Sequence, residues 1–372
     1  MSKVAIICAF DTYFDRVKML RTYFEQKGDK VTVLTSDFSH REKQKLQYYP
    51  GADHLVHAHP YTKNLSIHRL FSHYMLAKKM KTKIEEMDPD IIYCLVPANS
   101  LAKMMALYKK KHPKVKLYFD VIDLWPETMP ITKYLSLPPF QIWRKLRDKY
   151  LPFADRVFTE CELYQEVLDQ KENHQYETLY WARNELPCSF ADLISEEEMH
   201  FVYLGSINHI IDIDFIVNFL KQCALYKTCI LHIIGEGESK SLLISKLAEI
   251  NISVIDHKKV FEQEKKQAIF DQCNYALNIM KESVVVGLTM KSLDYLCGGV
   301  PIINTIPADT AELVRQYDIG FNIDRNNMDQ IAKKICSMPL AEQFAQREHC
   351  RKVYETMFRN GSFEETLKNA GV

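Results

Sequence analysis

The chain lacks any run of about 18 apolar residues, so no segment of it is expected to cross a membrane. It also lacks paired cysteines. Ten are present (Cys8, Cys94, Cys161, Cys188, Cys223, Cys229, Cys273, Cys297, Cys336, Cys350), all single, with no C-x-x-C among them. That argues against a zinc site or a disulfide framework and fits free thiols in a reducing cytoplasm. Net charge is absent too: 48 Lys+Arg stand against 48 Asp+Glu. With no nucleic-acid-binding motif either, no nucleic-acid partner is expected. His54, His57 and His59 alternate as on a strand, but no acid or cysteine stands in metal-ligand spacing, so they read as surface histidines and no metal is expected. The opening MSKVAIICAF has too short an apolar run for a signal peptide and reads as a first strand. A cytoplasmic protein is expected.

What is present is ordinary for a soluble globular chain: 47% hydrophobic and 26% charged residues over a length of 372 that suits two cores better than one. The charge is unevenly spread. Residues 1–195 hold 29 Lys+Arg against 24 Asp+Glu, and the remainder 19 against 24. Clusters at Lys78, Lys79, Lys81, Lys83 and at Lys109, Lys110, Lys111 add to a basic first half. Such a surface could meet a phosphate-bearing acceptor or the inner face of a membrane peripherally, or be merely solvated.

Apolar strand-like runs alternate with helical patterns along the chain. Strands are expected at Val4–Cys8, Val31–Thr35, Ile91–Leu95, Lys116–Phe119 and Arg156–Thr159, and again at Phe201–Leu204, Cys229–Ile234, Ser253–Ile255, Tyr275–Ile279 and Val300–Asn304. Helical periodicity marks Phe14–Gln26, Leu65–Met87 and Ser100–Lys111 in the first half. In the second it marks Asp212–Ala224, Lys240–Ile250, Gln263–Gln272, Thr289–Leu296 and Thr310–Gln316. This alternation predicts an α/β protein of two doubly wound, Rossmann-like domains with ligands bound in the cleft between them. The stretch Tyr180–Glu198 lacks periodicity and carries Pro187 and an acidic run. It sets the linker at 183–199, between a domain at 1–182 and one at 200–341.

The most informative stretch is Val286–Asn304, VGLTMKSLDYLCGGVPIIN. A glycine-led turn opens a helix, whose free N–H groups and positive dipole end make a ready anion site. Lys291 and Asp294 follow on that helix, so one element could hold both a phosphate and a ribose. The plainer reading is a helix closed by its usual glycine cap. Lys291, Asp294, Tyr295, Leu296, Gly299 and Pro301 stand as K-x-x-D-Y-L-x-x-G-x-P, which resembles the K-x-x-E-Y-L-A-x-G-x-P segment of retaining glycosyltransferases of family 4, proteins of the GT-B fold. The resemblance implies that Asp294 binds the nucleotide ribose and that the amides of Gly287, Leu288 and Thr289 face the diphosphate. It also implies that the last helical segment, 342–372, crosses back to complete the first domain.

Other segments extend the resemblance or depart from it. Phe201-Val202-Tyr203-Leu204-Gly205-Ser206 resembles the family's strand-glycine opening, where a phosphate approaches a backbone with no Cβ in the way. The Arg and Lys that normally follow are missing, since Ser206 to Leu220 contains neither. The family's first acid, eight positions before the second, is replaced by Val286, and Glu282 is out of register. Lys291 is the candidate to supply the lost diphosphate charge; otherwise it is an exposed helix lysine. Asp212 and Asp214 read as helix-starting residues. Gly235-Glu236-Gly237 resembles the family's G-x-G loop and would wall the donor site. His257-Lys258-Lys259-Val260-Phe261 resembles the segment that meets the base, with Val260 in contact through main chain.

In the first half, Asp120-Val121-Ile122-Asp123-Leu124-Trp125-Pro126-Glu127 resembles the D-x-W-P-E segment of polysaccharide glycosyltransferases. Carboxylates at a strand's carboxyl end lie where α/β sites form, so Asp123 or Glu127 could orient an acceptor hydroxyl or act as base. Helix capping with a core tryptophan is the alternative. The turn Ala9–Tyr13 lacks the family's glycines and is assigned to the acceptor. The reading is a metal-independent glycosyltransferase without a cofactor. It would move a sugar from a nucleotide-diphosphate sugar, UDP-linked, to a saccharide or polyprenyl-linked acceptor in surface polysaccharide synthesis. Two alternatives stand beside it: a non-catalytic GT-B partner or regulatory subunit, and a GT-B sugar-nucleotide epimerase.

Overall fold

Parallel strands covered on both faces need apolar side chains at nearly every position. The central strands of the first sheet read that way: in β1 (Lys3–Cys8), β4 (Ile91–Val96) and β5 (Lys116–Val121), every residue after the first is buried. The structure, a computed structural model, describes residues 1–129, 131, 134–189, 191 and 193–372. The chain divides into two compact units. One comprises residues 1–181 with 363–372, the other residues 182–362.

The first unit adds β2 (Lys30–Ser36), β3 (His54–Val56), β6 (Arg156–Thr159) and β7 (Tyr176–Thr178) to those strands. The sheet order is β3-β2-β1-β4-β5-β6-β7, with every pairing parallel. Order reverses between β1 and β4, and such switch points are where open α/β sheets bind ligands at the carboxyl ends of their strands. Helices α1 (Phe14–Gln26), α2 (Ile67–Met87), α3 (Asn99–Lys111), α4 (Pro138–Asp148) and α5 (Glu162–Val167) connect the strands. Beneath the sheet's edge Arg16 is fully buried. It holds Asp120 through two bonds of 2.7 and 2.8 Å and also donates to the carbonyl of Leu179. Asp120 therefore serves the fold.

The second unit builds a sheet in the order β10-β9-β8-β11-β12-β13, again all parallel. Its strands are β8 (Glu198–Leu204), β9 (Thr228–Ile234), β10 (Ser253–Asp256), β11 (Tyr275–Asn278), β12 (Ile302–Asn304) and β13 (Gly320–Asn322). Helices α6 (Ile213–Cys223), α7 (Lys240–Glu249), α8 (Gln263–Phe270), α9 (Met290–Gly298), α10 (Asp309–Tyr317) and α11 (Met328–Cys336) alternate with them, and α12 (Leu340–Met357) follows. Asp212 caps α6, accepting from the Phe215 N–H at 3.0 Å, and Asp214 pairs with Lys246.

The long helix expected to return to the first unit is α12, and it belongs to the second. Its Gln343 bonds Asn274, and its Arg347 donates to the carbonyl of Cys273 at 2.9 Å. The chain rejoins the first unit only at Phe363, within α13 (Asn360–Asn369). There Phe363 lies 5.3 Å from the Arg16 guanidinium, and the Val372 carbonyl accepts from Tyr23 and Lys27. Among the described residues no helix is long and apolar enough to cross a membrane.

Candidate functional site

In the second unit the glycine-led turn leads into α9 as its sequence suggests. Thr289 is the N-cap, its hydroxyl accepting from the Ser292 N–H, and Gly299 closes the helix in the left-handed region at φ 67°. The Gly287 carbonyl is turned toward Thr310, which bonds it through both its N–H (2.9 Å) and its hydroxyl (2.6 Å). In a trans peptide the following N–H, that of Leu288, points the opposite way. The helix start thus presents donors held in place from behind.

Lys291 is 9% exposed, and its Nζ has no hydrogen-bond partner among the described residues. The ammonium sits 4.5 Å from the centre of the Tyr203 ring, and the Tyr203 hydroxyl donates to the carbonyl of Ser206. Burial alone brings the Lys291 ammonium down to about 7. A buried cation without a counter-charge is costly and marks a functional site more often than a structural one. Lys291 is therefore not the solvated helix lysine of the plainer reading.

Gly205 ends β8 at φ 113°, and a Cβ there would meet nothing within 4 Å, so the backbone is open to an approaching group. Gly235 differs. A Cβ on it would stand 2.0 Å from the Gly205 carbonyl oxygen, because the two loops touch backbone to backbone. Ile207 N–H donates to Glu236 O at 3.0 Å across that contact. Lys240 bonds the Gly235 carbonyl (2.8 Å), Glu236 (3.0 Å) and Asp256 (2.7 Å), and with Lys258 it holds Asp256 well below the usual carboxylate range despite burial. Glu236 is thus the fastener of this loop. Val260 lies in the irregular segment between β10 and α8, whose first residue, His257, is anchored by a 3.0 Å contact with His232.

Asp294 faces away from Lys291, toward α8. Arg183 clasps it through two bonds (2.9 and 3.2 Å), and Lys266 donates to it at 2.7 Å. These residues line a cavity of about 60 Å³ with Phe261, Gln263 and Phe270. The carboxylate expected to bind ribose is thus already held by two cations, which sequence reading missed because Arg183 stands 111 positions away.

In the first unit the structure separates the two candidate acids. Glu127 is buried and gripped by Arg147 at 3.0 Å on both oxygens, with Arg144 at 3.6 Å. Arg147 also donates to the Trp125 carbonyl. Glu127, expected to orient an acceptor hydroxyl or act as base, is half of a buried ion pair with Arg147. Asp123 accepts from the hydroxyls of Thr128 and Tyr13, the latter at 3.3 Å, and burial raises its carboxyl above its ordinary value. His57, read as a surface histidine, is exposed and has Asp37 at 3.0 Å.

Sequence reading also missed Glu160, which follows β6 beside the end of β5, its N–H donating to the Val121 carbonyl. Burial pushes Glu160 up to about 8, with the Asp123 charge adding to the rise and Arg16 opposing it. Because the folded value lies above the ordinary value near 4.5, this carboxyl contributes stability below pH 4.5 that is lost as pH rises through 8. Glu160→Gln is expected to flatten the fall in melting temperature between pH 5 and 8.5. A variant whose melting temperature falls as steeply as that of the wild type would remove Glu160 from that role.

Residues 198–339 match the family model of "Glycosyl transferases group 1". No curated protein matches the chain in sequence. In structure the chain is similar to sucrose-phosphate synthase from Thermosynechococcus elongatus, with TM-score 0.71, 13% identity and coverage of 99% of this chain and 98% of that one. It is similar to Anabaena HepE in complex with UDP and glucose, with TM-score 0.68, 10% identity and 99% of each chain covered. The lipopolysaccharide outer core galactosyltransferase WaaB follows at TM-score 0.67, 14% identity and coverage of 99% and 98%. At these identities the likeness establishes the architecture, which is the two-unit Rossmann-like fold of the GT-B glycosyltransferases.

Proposed function

We propose that the protein is a glycosyltransferase that uses a nucleotide-diphosphate sugar, UDP-linked, as donor and a saccharide or lipid-linked acceptor in surface polysaccharide synthesis. The observation that carries this reading is Lys291: a buried ammonium without a hydrogen-bond partner among the described residues, on the first turn of a helix whose leading amides are held in place by Thr310. A diphosphate would supply the missing counter-charge and accept from the helix-start N–H groups. Open backbone at Gly205 and Ser206 gives it room. The match of residues 198–339 to the group 1 glycosyltransferases, and a structural neighbour in complex with UDP and glucose, support the same assignment.

In the reaction the donor's C1–O bond breaks and UDP departs, its charge stabilised by Lys291 and the amides of Leu288 and Thr289. The acceptor hydroxyl gives up its proton and forms the new glycosidic bond, with retention at C1. Asp123 is the proton acceptor in this reading. Work at the cytoplasmic face of a membrane, held there by the basic first unit, is part of the same proposal. The test is UDP release from a panel of UDP-sugars, with and without lipid-linked and saccharide acceptors. Acceptor-dependent release is expected; binding of UDP-sugar with no release under any condition would overturn catalysis. One observation favours the second reading, a non-catalytic partner: Asp294 is neutralised by Arg183 and Lys266 rather than free. That reading predicts UDP binding without turnover.

A further inference from the structure

A second group of basic side chains, Arg69 a buried cation among them, lies in the first unit, at the carboxyl ends of β1, β2, β3 and β5. Arg69, on the first turn of α2, is 2% exposed, and its Nη1 donates to the Asn64 carbonyl at 2.7 Å. Its Nε and Nη2 have no partner among the described residues, and no carboxylate there lies within ion-pair distance of it. The guanidinium lies 4.1 Å from the Trp125 ring centre. One turn further along α2, His73 is 4% exposed, stacked on Trp125, and without a hydrogen-bond partner at either ring nitrogen among the described residues. His40 approaches from the loop after β2, its Nδ1 2.6 Å from the Tyr61 hydroxyl. Lys43 follows, donating to the Asn64 side chain at 2.6 Å. Burial depresses all four, and repulsion from neighbouring cations adds to the fall at His40, His73 and Lys43: His40 falls to about 4, His73 well below its ordinary value, and Arg69 and Lys43 are lowered, with Tyr61 opposing the fall at Arg69. Asp11 accepts from the His40 N–H at 3.2 Å, and the Asp123 charge acts on Arg69 without a direct bond. Arg69 is a buried cation with no carboxylate at ion-pair distance among the described residues, as costly here as at Lys291, and this group is not used in any step above.

Asn64 joins this cluster to an apolar slot. Its two oxygens are taken by Arg69 and Lys43, and it lines a cavity of about 210 Å³ with Leu65, Ile67, Leu70, Phe140 and Trp143. That volume is several times the ~30 Å³ share of one water, and its walls are hydrocarbon and aromatic, so it suits a chain of methylenes better than solvent. Ile67 at the rim is 83% exposed.

We propose that this corner of the first unit is a binding site for a lipid phosphate, with the phosphoryl group on Arg69, His73 and Lys43 and the start of the apolar chain in the slot. The inference deepens the acceptor assignment and rests on that reading for its purpose, though the binding itself can be measured alone. Farnesyl monophosphate and inorganic phosphate are titrated calorimetrically into the full chain, its Arg69→Gln and its Ile67→Ser variants, with UDP titrated in parallel.

Farnesyl monophosphate is expected to bind at least tenfold more tightly than inorganic phosphate. Arg69→Gln should weaken it about tenfold or more, as for a lost charge-assisted bond, while UDP affinity stays unchanged. The same variant should melt higher than the wild type without ligand, because an unpaired buried charge is gone. Ile67→Ser, at the exposed rim, should reduce the advantage of farnesyl monophosphate over inorganic phosphate. Equal affinity for the two ligands, or farnesyl binding unchanged in Arg69→Gln, would overturn the site. Failure of UDP to bind any of the proteins would instead count against the donor reading and leave this result standing.

Discussion

Asp123→Asn is expected to lower turnover by about a hundredfold or more while nucleotide affinity barely changes. Asparagine keeps the volume and one acceptor oxygen, so one of the Tyr13 and Thr128 hydroxyls keeps its acceptor while the other can turn to accept from the new amide, but the group can no longer take a proton. Positioned acid–base groups contribute about 10²–10⁴-fold. Burial already raises the Asp123 carboxyl, and the neighbouring Glu160 is pushed up to about 8, so the two carboxyls share a site that holds a proton near neutrality. The pH–rate profile separates a chemical role from a structural one. A base leaves the variant with a flattened acid limb, whereas a helix cap leaves the profile's shape intact. Near-normal turnover in Asp123→Asn would return the residue to the loop's architecture.

Lys291→Met should have the second large effect, in two opposite directions. UDP affinity is expected to fall by about 1.5–3 kcal/mol, roughly ten- to a hundredfold, through loss of a charge-assisted bond. The ligand-free protein should melt higher than the wild type. With the folded value near 7 and the ordinary value near 10.5, the unfolded chain binds the extra proton between those limits, so wild-type stability rises with pH from 7 to 10.5. Removing the amine deletes a burial cost of about 3–5 kcal/mol at low pH, by the value of about 1.4 kcal/mol per pH unit. The same titration weakens UDP binding as pH rises above 7 in the wild type and not in the variant. Calorimetry and melting curves across pH 6–9 check both signs. Unchanged UDP affinity would leave Lys291 a buried liability without a ligand.

Elements long enough to show a period were legible in the sequence. The residues Phe14–Gln26 form a helix with the limits read from their pattern, and the ten strands expected all exist with ends shifted by a few residues. The strands that escaped, β3, β7 and β13, are three residues each, too short for any periodicity to declare itself. At the site, Lys291 was legible because a motif marked it. Glu160, Arg69 and His73 were not. A glutamate after a strand, or an arginine and histidine four apart on a helix, look solvated until other segments bury them. Trp125, which flanks Arg69 and His73, and Trp181, which bonds Glu160, stand far along the chain. The partners of Asp294 were hidden for the same reason, and so was the Arg147 that occupies Glu127.

The division of the chain has a consequence for biogenesis. Arg16 and Tyr23 emerge from the ribosome early, yet Phe363 over the one and the Val372 carbonyl on the other follow only after the whole second unit has been made. At about 5–20 residues per second, the stretch between Trp181 and Phe363 takes on the order of ten to forty seconds to translate. Through that interval the nascent first unit lacks the ring of Phe363 beside Arg16 and the Val372 acceptor of Tyr23 and Lys27. A fusion or truncation at residues 363–372 would then act on yield through this waiting period before it acted on any property of the finished molecule.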